Sequence, residues 1–283
     1  MAKEKVEISE TAYLTCGCRA NNESLSKDIY AKFWMNNKSR EFVNDYLKEV
    51  SPVENELLSL RNRFFLDELK SFFRLHKNSV FINLGAGFSN YPFLLNSNHR
   101  FCEVDCSEII NVKINKIFEF GERGVFPRRD ITFFELNLDK QDELHKLKKR
   151  LKNWLGESVS FVLIEGLIYY LNDENSAELL EIIRKIQTPK SRIGVISWPP
   201  KFKKYPVFNR FCNFVAKTMD QKSEKYIFHN PNEFRKLRDY KLIKQTNYIQ
   251  LSKKYDVNLP KDKDFFWEDL FILEKIKQPN YCP

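Results

Sequence analysis

Glycine is scarce in this chain, with 8 among 283 residues, so two glycines bracketing one residue at Gly85 and Gly87 mark a turn that the backbone needs. The six cysteines, Cys16, Cys18, Cys102, Cys106, Cys212 and Cys282, form no C-x-x-C pair. No histidine lies at a familiar zinc spacing from them, which leaves free thiols in a reducing cytoplasm as the expectation and the Cys16/Cys18 pair as a metal or redox alternative. No apolar run approaches the roughly 20 residues that cross a bilayer, and residues 1–10 are too charged for a secretory signal, so no membrane partner is expected. G-x-S-x-G, P-loop and H-E-x-x-H patterns are missing, which removes the common hydrolase, nucleotide-triphosphatase and zinc-protease chemistries. The 4 histidines, His76, His99, His145 and His229, are scattered, and only His229 falls in a plausible substrate loop. There is no internal repeat and no low-complexity tract.

What is present is a chain long enough for one large α/β core, 42% hydrophobic and 30% charged, with 14% aromatics owing mostly to 25 Phe. The formal net charge is +9, which raises a nucleic-acid-binding module as one reading. Basic residues are interleaved with acids, and the richest run, Lys146-Leu147-Lys148-Lys149-Arg150-Leu151-Lys152, spaces its leucines as an amphipathic helix does. That pattern favours solvated helix faces over a polyanion site.

The segment Val80-Phe81-Ile82-Asn83-Leu84 is an apolar run that stops at Gly85-Ala86-Gly87, and a second run, Phe101-Cys102-Glu103-Val104, stops at Asp105. An acid about 20 residues beyond a glycine turn is the arrangement that binds a ribose: the turn admits the ligand to the backbone, and the carboxylate accepts from the sugar hydroxyls. An ordinary tight turn and a helix N-cap are the plain alternatives. The third glycine of the dinucleotide fingerprint is replaced by Asn90, which counts against a nicotinamide-dependent oxidoreductase and favours a phosphate-free nucleoside cofactor, S-adenosylmethionine.

Periodicity predicts helices over 31–50 and 54–75, then strands over 80–84, 100–104, 131–136, 160–164 and 192–198, alternating with helices from Tyr91 and over 109–120, 141–154 and 174–186. Pro199-Pro200 ends the fifth strand, 206–220 and 231–237 read as helices, and 242–251 and 270–276 read as a final antiparallel pair. The fold class is α/β, a doubly wound, mostly parallel seven-stranded sheet, with an N-terminal helical cap over 1–76 and a sheet domain over 77–283 carrying an insertion at about 199–240. Glu165 emerges from Phe161-Val162-Leu163-Ile164 at the carboxyl end of the fourth strand, where open sheets bind ligands. Tyr169, Tyr170 and Trp198 lie near the same edge as pocket or core aromatics.

Three blocks together, 81–88, 101–105 and 162–171, resemble the leucine carboxyl methyltransferase family in order and spacing. Arg61-Asn62-Arg63-Phe64-Phe65-Leu66-Asp67 is similar to its arginine-rich helix, and Arg19-Ala20 with Glu23-Ser24 to its N-terminal segment. The resemblance implies a class I S-adenosylmethionine-dependent O-methyltransferase in which Arg61 and Arg19 meet the cofactor's carboxylate and Gly85, Ala86 and Gly87 let the backbone approach. It further implies that Asp105 holds the ribose, Asn137 and Leu138 flank the adenine, and Glu165 sits near the methionine portion. Asn137 stands where the family has an acid. Glu165-Gly166, in place of the Glu-Cys of protein-directed members, tilts the expectation toward the bacterial polyketide O-methyltransferase-like branch and a small-molecule substrate rather than a protein C-terminus. Tyr170 is the candidate for positioning that substrate, and Arg63, Lys201, Lys203 and Arg210 for attracting an acidic one.

Overall fold

The computed structural model describes residues 10–95, 99–218, 226–261 and 264–277. Seven strands, β1 (Val80–Leu84), β2 (Arg100–Asp105), β3 (Ile131–Glu135), β4 (Ser160–Ile164), β5 (Arg192–Ser197), β6 (Tyr240–Asn247) and β7 (Asp269–Lys275), form one sheet in the order β3-β2-β1-β4-β5-β7-β6. Five of them pair in parallel, and β7 runs antiparallel to both neighbours, inserted between β5 and β6. The chain builds outward from β1 through β2 to β3, then returns to place β4 on the other side of β1. Such a reversal opens a crevice at the carboxyl ends of β1 and β4. Both strands are wholly buried and mostly apolar, as central parallel strands are, with Asn83 the one polar residue inside β1 and Ser160 opening β4.

The helices in chain order are α1 (Glu10–Asn21), α2 (Glu23–Ser26), α3 (Asn37–Glu49), α4 (Glu54–Leu75), α5 (Tyr91–Leu94), α6 (Ser107–Glu122), α7 (Gln141–Leu155), α8 (Asp173–Ile186), α9 (Pro206–Thr218), α10 (Pro231–Arg235) and α11 (Tyr248–Lys254). One core lies between one sheet face and α4, α9 and α11; the other face is covered by α7, α8 and α10. No helix among the described residues is long and apolar enough to cross a membrane.

Three local expectations are corrected, and a fourth, the helix from Tyr91, stands as a short one. The helix expected over 31–50 is broken: Ala31–Trp34 is a single tight turn, and α3 starts afresh after Asn36, whose side chain accepts from the Ser39 backbone N–H in a reciprocal cap. The strand expected over 242–251 ends at Asn247, which caps α11 by accepting from Gln250 N–H. The helix starting at Tyr91 has only four residues. The polar start conceals α1, which is buried around Leu14, Cys16, Gly17, Cys18 and Arg19; a Cβ at Gly17 would lie 2.7 Å from both Met35 and Val43, so a larger residue would push α1 off α3. The end of the helix expected over 206–220 lies outside the described residues, as does Cys282. The other five cysteines are free thiols, and the Cys16 thiol donates to the Ala31 carbonyl.

Beneath the crevice, Glu103 of β2 and Lys113 of α6 form a fully buried ion pair at 2.7 Å. Breaking one side of such a pair strands a charge in the core, whereas replacing both by apolar groups removes the desolvation cost. Chemical denaturation should therefore show Lys113→Met losing about 3–5 kcal/mol, with the double variant Glu103→Leu/Lys113→Met recovering most of the loss. A double variant no more stable than the single one would contradict this account.

Candidate active site

The crevice between β1 and β4 holds a cavity of ≈ 200 Å³ that opens to solvent. Gly85, Ala86 and Gly87 form its floor, Asp105 one side, Glu165, Gly166, Tyr169 and Tyr170 the other, and Thr11, Ala12, Thr15 and Arg19 of α1 its roof. Gly85 (φ +70°) and Gly87 (φ +45°) adopt the left-handed backbone that glycine tolerates without strain. The turn is held to β2: the Gly85 and Ala86 N–H groups donate to the Val104 carbonyl, and the Gly87 N–H donates to Asp105 Oδ2 at 2.8 Å. Asp105 Oδ1 accepts from the Cys106 N–H at 2.8 Å. Each carboxylate oxygen keeps a further lone pair. Burial pushes the Asp105 carboxyl upward, and these two backbone donors oppose the shift.

Arg61 reaches this crevice from α4, 4% exposed. Its Nε donates to Glu165 Oε1 at 2.8 Å, and its Nη1 to both oxygens of Glu268 at 3.2 Å. The Tyr91 hydroxyl donates to Glu165 Oε2 at 2.6 Å. Glu268 also receives the Tyr169 hydroxyl at 3.4 Å, the Trp198 indole N–H at 3.3 Å and the Tyr248 hydroxyl. Arg19 is anchored in the same manner, with Nε on Asp28 at 2.9 Å and Nη2 on the Phe88 carbonyl at 2.8 Å. Among the described residues, Nη1 of Arg19 and Nη2 of Arg61 take no part in these bonds. Behind Tyr169 stands an aromatic wall, with Trp198 stacked on its ring at 4.0 Å and Tyr226 against Tyr170 at 5.7 Å.

Of the residues picked from sequence, Arg19, Arg61, Gly85, Ala86, Gly87, Asp105, Glu165 and Tyr170 line the cavity together. Asn137 and Leu138 do not: Leu138 is packed in the core under α7, and the exposed Asn137 accepts from the Asp139 N–H. They remain close to Asp105 in the sheet, since the Leu136 N–H donates to the Asp105 carbonyl at 2.8 Å. Arg63, Lys201, Lys203 and Arg210 stay outside the cavity; Arg63 pairs with Asp67, Arg210 with Asp264, and Lys201 lies over the Trp267 ring. His229 is also outside it, bonded to Glu233, with its backbone N–H on the Trp198 carbonyl.

Four residues were missed. Asn90 sits where a glycine was sought, 0% exposed, donating to both oxygens of Asp28 and accepting from Trp34 Nε1 at 2.8 Å. It therefore holds the carboxylate that holds Arg19. Asp28 and Glu268 carry no local signal, because their partners are distant in sequence. Glu54 had one: it lies seven residues before Arg61 on the apolar face of α4.

The family model of leucine carboxyl methyltransferase matches residues 9–184. The chain belongs to that family. Its match ends within α8, so β5 to β7 and the aromatic wall lie beyond the matched region. A protein of Parafrankia sp. (strain EAN1pec), provisionally named an S-adenosyl-L-methionine-dependent methyltransferase, is 29% identical over 151 residues, 53% of this chain and 46% of its own length. The chain thus matches about half of that relative. Among solved structures, a provisionally named methyltransferase of Thermobifida fusca YX superposes with a TM-score of 0.62 at 13% identity, covering 94% of each chain. A DUF574 family protein of Streptomyces avermitilis MA-4680 gives 0.64 at 10% identity, covering 94% of this chain and 97% of that one. These likenesses show the Rossmann-like methyltransferase fold.

Glu54 is buried and its Oε2 has no hydrogen-bond partner among the described residues. Burial pushes its carboxyl from 4.5 up to about 8. A value raised on folding means that the folded chain binds this proton more tightly; the stabilisation is complete below about 4.5 and is lost as pH rises toward about 8. Thermal unfolding of Glu54→Gln should gain on the wild type by about 5 °C as pH is raised through that window. Parallel curves for the two proteins would show that Glu54 is not held neutral.

Proposed function

We propose that this protein is an S-adenosylmethionine-dependent O-methyltransferase whose acceptor is a carboxylate, carried by a small molecule. The cavity's donor set suits the cofactor: a diol acceptor at Asp105, a carboxylate at Glu165 for an ammonium, and one uncommitted nitrogen on each of Arg19 and Arg61 for a carboxylate. When bound, the cofactor supplies a methyl group on a positively charged sulfur. Asp105 would accept from the ribose hydroxyls. Glu165, oriented by Tyr91 and Arg61, faces the amino-acid tail. Tyr169 and Tyr170, backed by Trp198, exclude water and hold the acceptor in line; alignment alone is a large part of the barrier for so good an electrophile.

The observation that carries the carboxylate assignment is the lack of a base in the cavity. Asp105 and Glu165 are its only carboxylates among the described residues, and no histidine lines it. Burial pushes the Tyr169 phenol well up and the Cys106 thiol up to about 12. A phenol acceptor, with pKa of about 10, would need a base, whereas a carboxylate arrives ionised. The C-terminal leucine carboxylate of a protein is the second reading, favoured by the family match over 9–184.

Incubation of the enzyme with methyl-labelled S-adenosylmethionine and fractions of a cell extract tests this. Methyl esters release labelled methanol in mild alkali, and methyl ethers do not. The proposal expects base-labile label in the small-molecule fraction. Label in protein would favour the second reading, and base-stable label would overturn the carboxylate assignment.

A further inference from the structure

Glu268 lies outside the residues matched by the family and one layer behind the cavity wall, 3% exposed. All its hydrogen-bond partners donate: Arg61 Nη1 at 3.2 Å, Tyr169 Oη at 3.4 Å, Trp198 Nε1 at 3.3 Å, and the Tyr248 hydroxyl. An indole N–H and a guanidinium can only donate, so Glu268 Oε1, which meets both, serves them as an acceptor. Arg61 is therefore shared between two carboxylates, Glu165 and Glu268. Arg19 is matched by Asp28, and Asp105 is held by two backbone amides and the Cys106 thiol, while the nearby Lys113 is itself matched by Glu103. Four carboxylates thus face two guanidiniums around one cavity. A structural requirement for burying Arg61 would be met by Glu165 alone; the second carboxylate leaves the site with surplus negative charge.

We propose that Glu268 is a positioning and charge-setting residue that makes this site prefer the cationic sulfonium, S-adenosylmethionine, over the neutral thioether product, S-adenosylhomocysteine. The inference rests on the reading of the cavity as the S-adenosylmethionine site. The two ligands share the adenosine, the ammonium and the carboxylate, and differ in a methyl group and one positive charge. A unit charge acting over about 10 Å at an effective dielectric constant of about 20 is worth roughly tenfold in affinity, which sets the scale for a surplus charge one layer behind the wall. Such a preference lets product leave and cofactor enter without any movement of the walls.

Titration calorimetry of the full chain with each ligand gives the ratio of the product's Kd to the cofactor's. The wild type is expected to bind S-adenosylmethionine more tightly, Glu268→Gln to lower that ratio about tenfold, and Tyr248→Phe, which keeps the charge and removes one donor, to leave it unchanged. If Glu268→Gln weakens both ligands equally, the residue is purely structural and the proposal is overturned. Should that variant fail to fold, the wild type decides: product bound as tightly as cofactor overturns it. A wild type that binds neither ligand contradicts the site reading itself, which separates the two failures.

Discussion

The site depends on a guanidinium buried between two carboxylates. Taking an arginine side chain out of water costs several kcal/mol even after relaxation, and only close, well-oriented opposite charges offset it. Arg61 finds them in Glu165 at 2.8 Å and Glu268 at 3.2 Å, which lie 104 and 207 residues further along the chain. Neither carboxylate reaches Arg61 until β4 and β7 have taken their places in the sheet. The arrangement links the completeness of the fold to the chemistry of its edge, because the same bonds that satisfy Arg61 orient Glu165 and, through Glu268, the hydroxyl of Tyr169.

Arg19 repeats the device on the roof of the cavity. Asp28 takes its Nε, and Asn90 holds Asp28 while accepting from Trp34. Both arginines are thereby fixed by bonds within the chain. Asp105 is fixed in the same way by the N–H groups of Gly87 and Cys106. A preorganised polar site of this kind needs little rearrangement when a charged ligand enters, and that economy is a large part of how enzymes stabilise developing or vanishing charge.

The sheet was legible because its central strands are short, mostly apolar runs that end at a glycine turn, at Asp105 and at Glu165, and register pairs those ends side by side. Of the eight residues that meet at the cavity, Gly85, Ala86, Gly87, Asp105 and Glu165 came from those strand ends, Tyr170 from the apolar stretch after the fourth strand, and Arg19 and Arg61 from the family resemblance alone. What stayed hidden has a common cause. α1 hides its apolar face because it is buried on several sides and packs through Gly17 rather than through a stripe of large residues. Asn90 was read as an absent glycine, although its amide is a buried hub. Glu268 looks like any acid after a tryptophan, and only the folded chain brings Arg61, Tyr169, Trp198 and Tyr248 around it.

A crystal structure of the chain with S-adenosylhomocysteine tests the central claim most directly. The account predicts ribose hydroxyls on the Asp105 carboxylate, the ammonium on Glu165, and the tail carboxylate between Arg19 Nη1 and Arg61 Nη2, with Arg61 still bonded to both Glu165 and Glu268. A ligand seated elsewhere, or an Arg61 that leaves either carboxylate to meet it, would contradict the account.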